Sequence, residues 1–409
     1  MRFYTHVAQW GNQLLVRAVE NGVRSNFKVK YEPTLFVPVQ KETGWTTLDG
    51  KNVNPMKFLT IKEAKEFVER YESQPHLVYG LTNFPYTYIA DKYPKQIEFD
   101  SSQMRIVTID IEVECENGFP HAQQALEPML SITIKNHDTG RIKVWGLHDY
   151  HNDREDVQYI KCQNERELLI QFVSWWESYY PDVITGWNTE FFDIPYLCNR
   201  IIKLFGEDEV KRLSPWRSVY GREVFKMGRR HQVYDIQGVA ALDYLDLYRK
   251  FTYTAQESYA LNHIAHVILG EKKISYEEYG TLHSLYKNDH QKFIDYNIKD
   301  VELVDRLEDK MGLITLMLTM AYKGGVNYTD TFGVTAIWDT IIYRYLHDRK
   351  VAMPFSESKV KTNYPGGYVK DPMVGMHEHV VSFDLNSLYP SIIMQYNMSP
   401  ETIVDGNVM

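Results

Sequence analysis

Three groups of acidic residues have the spacing to hold cations. Asp110 and Glu112 stand two apart in the run MRIVTIDIEV (104–113), and alternation along a strand puts both carboxylates on one face. Burying them together is costly unless a cation neutralises them; a solvent-facing pair on an edge strand is the competing reading. Asp193 lies in TGWNTEFFDIPY (185–196), where a turn hands over to a helix, and reads either as a ligand or as the N-cap of that helix. In YNIKDV (296–301), Tyr296 and Asp300 are four apart and share a helix face, as packing partners commonly do. The combination favours chemistry. A strand, a turn and a helix would supply oxygen ligands only, with a tyrosine one turn before the last carboxylate, and hard divalent cations such as magnesium choose such ligands.

These positions need a scaffold. Residues 1–103 read as short strands, for example FKVKYEPTLFVPV (27–39), with turns at 42–44 and 48–50 and one helix at 61–73. The runs at 104–113 and 129–136 open a new sheet. A helix at 165–180, a strand at 181–188, a helix at 194–206 and helices at 290–310 and 335–349 follow, which is the alternation of an α/β core. The segment 219–236 reads as a β-hairpin with Lys226, Gly228, Arg229 and Arg230 at its tip, serving either as a phosphate contact or as a solvated turn. The apolar stretch at 311–322 is a buried helix, short of the roughly 20 residues that cross a bilayer. A glycine- and proline-punctuated connector, YPGGYVKDP (364–372), precedes a strand, turn and helix at 379–393.

Composition sets the outer limits. A chain of 409 residues predicts two to three domains, and a formal charge of −9 argues against a uniformly basic nucleic-acid binder. Hydrophobic content of 44% and charged content of 24% are those of an ordinary folded protein. Cys115, Cys162 and Cys198 form no C-x-x-C spacing, so a reducing cytoplasm fits, and MRFYTHVAQWGN lacks the pattern of a secretory signal. The 30 tyrosines supply either mixed cores or stacking surfaces for bases.

The order D-x-E, N-x(4)-D, Y-x(3)-D resembles the three motifs of the DEDDy 3′→5′ exonucleases of family B DNA polymerases. The resemblance implies an RNase H-like exonuclease domain in which Asp110, Glu112, Asp193 and Asp300 bind two Mg²⁺ ions, with Mn²⁺ as a substitute, about 4 Å apart. It implies that Tyr296 orients the attacking water, and that Asn188 and Phe119 flank the single-stranded 3′ end, Phe119 by stacking; a turn residue packed beside Pro120 is the other reading of Phe119. FDLNSLYPSII (383–393) independently resembles motif A of the polymerase palm. There the family implies magnesium binding by Asp384 and the Leu385 carbonyl, and contact of Leu388 and Tyr389 with the incoming nucleotide. YPGGYV, with Tyr364, Gly366 and Gly367, resembles the connector that contacts template DNA, and Arg229 and Arg230 would help partition the primer end.

Segments such as KRLSP and SPETI bring the resemblance closest to the polymerases of T-even-type bacteriophages. It implies an α/β multidomain chain: an α+β N-terminal domain (1–103, returning at 313–355), an exonuclease domain (104–312) and the first part of a palm (356–409). No D-x-D follows Asp384, which leaves either an experimental truncation or a naturally split polymerase; we expect the split, completed by a second chain carrying the rest of the palm, the fingers and the thumb, and meeting the sliding clamp and other replisome proteins through that chain. The expected partners are primer-template DNA and its single-stranded 3′ end, not a membrane, in the host cytoplasm. A free-standing DEDD-type RNA exonuclease and a non-catalytic nucleic-acid-binding replication subunit are the alternatives.

Overall fold

The computed structural model describes residues 1–116, 118–226, 228–355 and 366–402, and the chain divides into two compact units, Met1–Glu357 and Ser358–Met409. Tyr364 lies outside the described residues.

In the larger unit, three antiparallel strands, Arg2–Trp10, Gln13–Glu20 and Val23–Lys30, form a meander. Its apolar face does not close on neighbouring sequence alone. Phe3, Tyr4, Leu14 and Val16 share a core with Ile89 and with Leu313, Met317, Leu318 and Tyr322, which come from the apolar helix Leu313–Gly324. Hydroxyls lock this packing: Tyr4 donates to the Val326 carbonyl at 2.6 Å, and Tyr322 donates to the Tyr4 carbonyl at 2.8 Å. Buried tyrosines keep their O–H paired in this way, so most of these rings serve as core.

The second sheet is mixed and six-stranded: β1 (Ile106–Val113), β2 (Met129–Asn136), β3 (Ile142–Gly146), β4 (Val157–Lys161), β5 (Val183–Thr185) and β6 (Ala240–Ala241), in the order β6-β5-β1-β2-β3-β4. Strands β5 and β6 run parallel to β1, β2 is antiparallel to both β1 and β3, and β4 is parallel to β3. The strand expected at 181–188 is only three residues, since the chain turns after Thr185 at Gly186, whose carbonyl accepts the Tyr244 N–H at 2.8 Å. Arg17, from the first sheet, donates to the carbonyls of Tyr180 at 2.9 Å and Pro181 at 2.7 Å, and faces the fully buried Asp182 at 3.2 Å. Arg24 meets the same carboxylate at 2.7 Å, so a paired buried charge joins the two sheets.

Alternation makes β1 two-faced. Val107, Ile109, Ile111 and Val113 enter a core with the helix Glu165–Tyr179 and with α1 (Asp193–Phe205). Thr108, Asp110 and Glu112 occupy the other face, where register places Lys135, Thr133 and Ser131 of β2 opposite them. Two helices cover the sheet on that side, α2 (Leu282–Asn288) and α3 (His290–Met311), with Phe293, Ile294 and Ile298 of α3 packed on Ile142 and Val144 of β3. The hairpin forms as expected, from Val219–Lys226 and Arg229–Ile236. Among the described residues no helix is long and apolar enough to cross a membrane.

In the smaller unit, the helix Leu388–Gln395 forms as expected. The strand expected at 379–385 does not: those residues make no ladder, since a strand exists only where its backbone groups find a partner.

Candidate active site

The polar face of β1 meets the inner face of α3 in a cluster of carboxylates. One oxygen each from Asp110, Glu112 and Asp300 lies within 4.8 Å of the others. Glu112 and Asp300 are buried and Asp110 is half-buried, so the solvent-facing reading of the Asp110–Glu112 pair is excluded. Asp193 is also buried, but it does not cap its helix. Phe192 occupies the cap position without a side-chain bond, and the Asp193 carboxylate accepts the Ile111 backbone N–H at 3.0 Å. That bond ties α1 to β1 at the residue between Asp110 and Glu112.

Two residues that the sequence reading did not single out hold this arrangement. Asn297 is fully buried; its Nδ2 donates to Asp110 at 2.5 Å, while its Oδ1 accepts from Ser131 at 2.9 Å and Thr133 at 2.5 Å. The amide therefore fixes Asp110 relative to β2. An asparagine next to a candidate tyrosine, above a strand with hydroxyls at alternate positions, was the available signal. The other is Lys273, whose Nζ lies 2.5 Å from Asp300 Oδ2 and 3.1 Å from the Tyr296 hydroxyl. It sits in an irregular stretch and carries no pattern that marks it in the sequence.

The electrostatics follow from crowding. Burial, and then the charges of Asp300, Glu112 and Asp193, push the Asp110 carboxyl well above its ordinary range. Burial and Asp300 push Glu112 up to about 8. Burial pushes Asp193 up to about 7, against the pull of the Ile111 N–H. Burial also raises Asp300, with the Lys273 ammonium opposing it. On Lys273 itself, burial favours the neutral amine, but Asp300, Tyr296 and Asp110 outweigh it and the shift is upward. Burial raises Tyr296 as well, so its hydroxyl stays protonated. One polar atom is left over: Asp300 Oδ1 is buried with no hydrogen-bond partner. Carboxylates this crowded, with a lone acceptor among them, suit divalent cations.

The rim carries aromatics and a fixed turn. Phe119 is 81% exposed, and its ring lies tilted at 42° against Phe192, 5.0 Å between centroids, rather than packing into the core. Asn188, at φ +68°, donates its backbone N–H to Asp243, which also accepts from Glu190. Gly186 lets this turn approach β1, since a Cβ there would stand 2.5 Å from the Ile109 carbonyl oxygen. At the hairpin tip Lys226 pairs with Asp246 at 2.5 Å, whereas Arg229 and Arg230 are exposed and Arg230 stands 3.7 Å from Glu223. In the smaller unit Gly366, Gly367, Asp384, Leu385, Leu388 and Tyr389 are all exposed.

Comparison with known proteins adds to this geometry. Residues 42–264 match the exonuclease domain of DNA polymerase family B, a stretch that contains Asp110, Glu112 and Asp193; residues 334–408 match DNA polymerase family B, a stretch that contains Asp384 and Tyr389. The chain is 34% identical over 429 residues to the DNA-directed DNA polymerase of Escherichia phage RB69, covering 98% of this chain and 47% of that protein. To the DNA-directed DNA polymerase of Enterobacteria phage T4 it is 34% identical over 427 residues, with the same coverage of 98% and 47%. DNA polymerase II of Escherichia coli is 27% identical over 260 residues, 61% of this chain and 32% of that protein. The chain thus spans about half the length of the phage relatives it matches.

Proposed function

The chain belongs to DNA polymerase family B, and from that premise we propose that its sheet and α3 form a proofreading 3′→5′ exonuclease centre, which removes the 3′-terminal nucleotide of DNA as a monophosphate. The observation that carries the reading is the convergence of Asp110, Glu112 and Asp300 within 4.8 Å, with Asp193 fastened to the strand between the first two.

The donor set fits magnesium: four carboxylates, three of them buried, and one buried oxygen without a partner. Asp110, Glu112, Asp193 and Asp300 would hold two such ions. Bound there, they would lower the pKa of a water molecule and neutralise charge on the scissile phosphate. The chain's own groups do the rest. Asn297 keeps Asp110 aimed, and the Ile111 amide keeps Asp193 aimed. The Tyr296 hydroxyl, protonated and 3.1 Å from the Lys273 ammonium, orients the attacking water along the line to the phosphorus. The Lys273 charge, half-buried beside Asp300, offsets negative charge that develops as the phosphorus–oxygen bond breaks. Phe119 and Phe192 offer a surface on which an unpaired terminal base stacks, with Asn188 beside the strand.

The domain division of the chain and its palm-like tail belong to the same proposal. Residues 1–103 with 313–355 act as one N-terminal domain, which the shared core of Phe3, Tyr4 and Met317 supports. Asp384, Leu385, Leu388 and Tyr389 would contribute to a polymerase centre, with Gly366 and Gly367 close to template phosphates. The other parts of that centre correspond to the half of the phage relatives that this chain does not span.

The test is a 5′-labelled primer with a mismatched 3′ end, annealed to template and incubated with Mg²⁺. Stepwise shortening by the unmutated chain, abolished in Asp110→Ala and Asp300→Ala, is expected. No shortening by the unmutated chain would falsify the exonuclease reading.

A further inference from the structure

Beyond the carboxylate centre, β1 runs on into a second group of ligating side chains. Glu114 and Glu116 are two apart, and His283 of α2 faces both: its Nδ1 is 3.6 Å from Glu114 Oε1 and its Nε2 is 3.9 Å from Glu116 Oε2. One ligating atom from each of the three residues lies within 4.8 Å of the other two. The histidine side chain is only 12% exposed, and its Nδ1 is buried with no hydrogen-bond partner. A buried ring nitrogen turned toward a carboxylate, yet beyond hydrogen-bonding distance, is able to ligate a cation. Only one ring nitrogen can hold a given ion; taking one atom from each residue, the three lie within 4.8 Å of one another, and small side-chain rotations bring them to the roughly 3–4 Å that separates ligands on a single ion with bonds of about 2.0–2.2 Å.

We propose that Glu114, Glu116 and His283 form a second cation site, distinct from the exonuclease carboxylates. It takes a transition-metal ion such as Zn²⁺ rather than Mg²⁺, because an imidazole nitrogen suits the former and not the latter. Glu116 is 60% exposed, so the ion enters from solvent and keeps water on its open positions. The neighbouring contacts say what the ion does. Glu114 is already anchored by its N–H to the Pro128 carbonyl at 3.0 Å. An ion joining Glu116 to His283 fastens Glu116, three positions before the exposed Phe119, to α2.

The site does not depend on the exonuclease reading, and its test is arranged accordingly. The full chain carrying Asp110→Ala and Asp300→Ala, which removes the first centre, is titrated with Zn²⁺ by calorimetry in excess Mg²⁺, and with Co²⁺ by visible absorption. About one equivalent is expected to bind. Adding Glu116→Gln or His283→Gln should weaken binding roughly tenfold or more. Glu116 is exposed, so its replacement leaves the fold intact, and metal-free melting curves verify this. Hydrogen exchange of residues 115–120 should slow on adding Zn²⁺ only when both side chains are present. The absence of binding, or binding that neither substitution alters, overturns the proposal and leaves a histidine facing two glutamates.

Discussion

The crowding of the carboxylates predicts a specific dependence of stability on pH. In the cation-free chain the Glu112 carboxyl rises from 4.5 to about 8. Between those values the folded chain retains a proton that the unfolded chain releases. Rising pH therefore favours unfolding: stability is highest below the unfolded value, falls across the window, and levels off above the folded value. At about 1.4 kcal/mol per pKa unit, the loss from this group between pH 5 and pH 7 is on the order of a few kcal/mol, or a melting-temperature drop of a few degrees. Asp193, raised to about 7, acts in the same direction. The perturbation is Glu112→Gln, which keeps the shape and removes the proton while leaving the Asp193 contribution in place. The assay is thermal unfolding of both proteins at pH 5, 6, 7 and 8, in EDTA and in saturating Mg²⁺. In EDTA the unmutated chain should lose stability across the series faster than the variant, by about the amount given. With Mg²⁺ the difference should shrink, since bound cations keep the carboxylate ionised. Parallel pH curves for the two proteins in EDTA would refute the claim that Glu112 is forced to hold a proton.

Three further outcomes follow from contacts around the site. Asn297→Ala leaves two buried hydroxyls, Ser131 and Thr133, without their acceptor, and should cost about 2–4 kcal/mol in denaturant unfolding. It should also lower the exonuclease rate roughly 10–100-fold at limiting Mg²⁺, with partial recovery at high Mg²⁺ in a quenched-flow assay. Phe119→Ala should weaken single-stranded DNA binding by about 1–3 kcal/mol in fluorescence anisotropy while leaving the melting temperature unchanged, because the ring is exposed; an equal fall in both would mean that the ring is structural. Gly186→Ala drives a methyl group into the Ile109 carbonyl, and should reduce nuclease activity far more than Ala substitution at the exposed Gly366; calorimetry and the primer assay on both variants check this.

The site was legible where chemistry coincides with periodicity. Asp110 and Glu112 alternate with valines and isoleucines, so their common face could be read directly, and the i, i+4 pair on α3 announced itself similarly. Asp193 left two readings open, because an acid before a helix satisfies a local rule; its bond to Ile111 spans 82 residues and no local pattern encodes it. Lys273 and Asn297 escaped for related reasons. One lies in irregular chain, and the other is a polar residue among the buried Phe293, Ile294 and Val301 of α3, whose worth depends on hydroxyls of a strand far earlier in sequence. The strand expected at 379–385 marks the opposite error, a β-branched run taken as a strand with no partner strand in view.

The packing of Tyr4 against the Val326 carbonyl also sets a schedule. The two residues are 322 positions apart, and the helix that completes the first core lies in the same late stretch. At roughly 5–20 residues per second, the opening strands leave the ribosome on the order of tens of seconds before their partners do. Throughout that interval Phe3, Val7 and Leu14 form an unfinished surface, so the chain's yield in the cell should respond to translation speed and to chaperone supply more than its final stability would suggest.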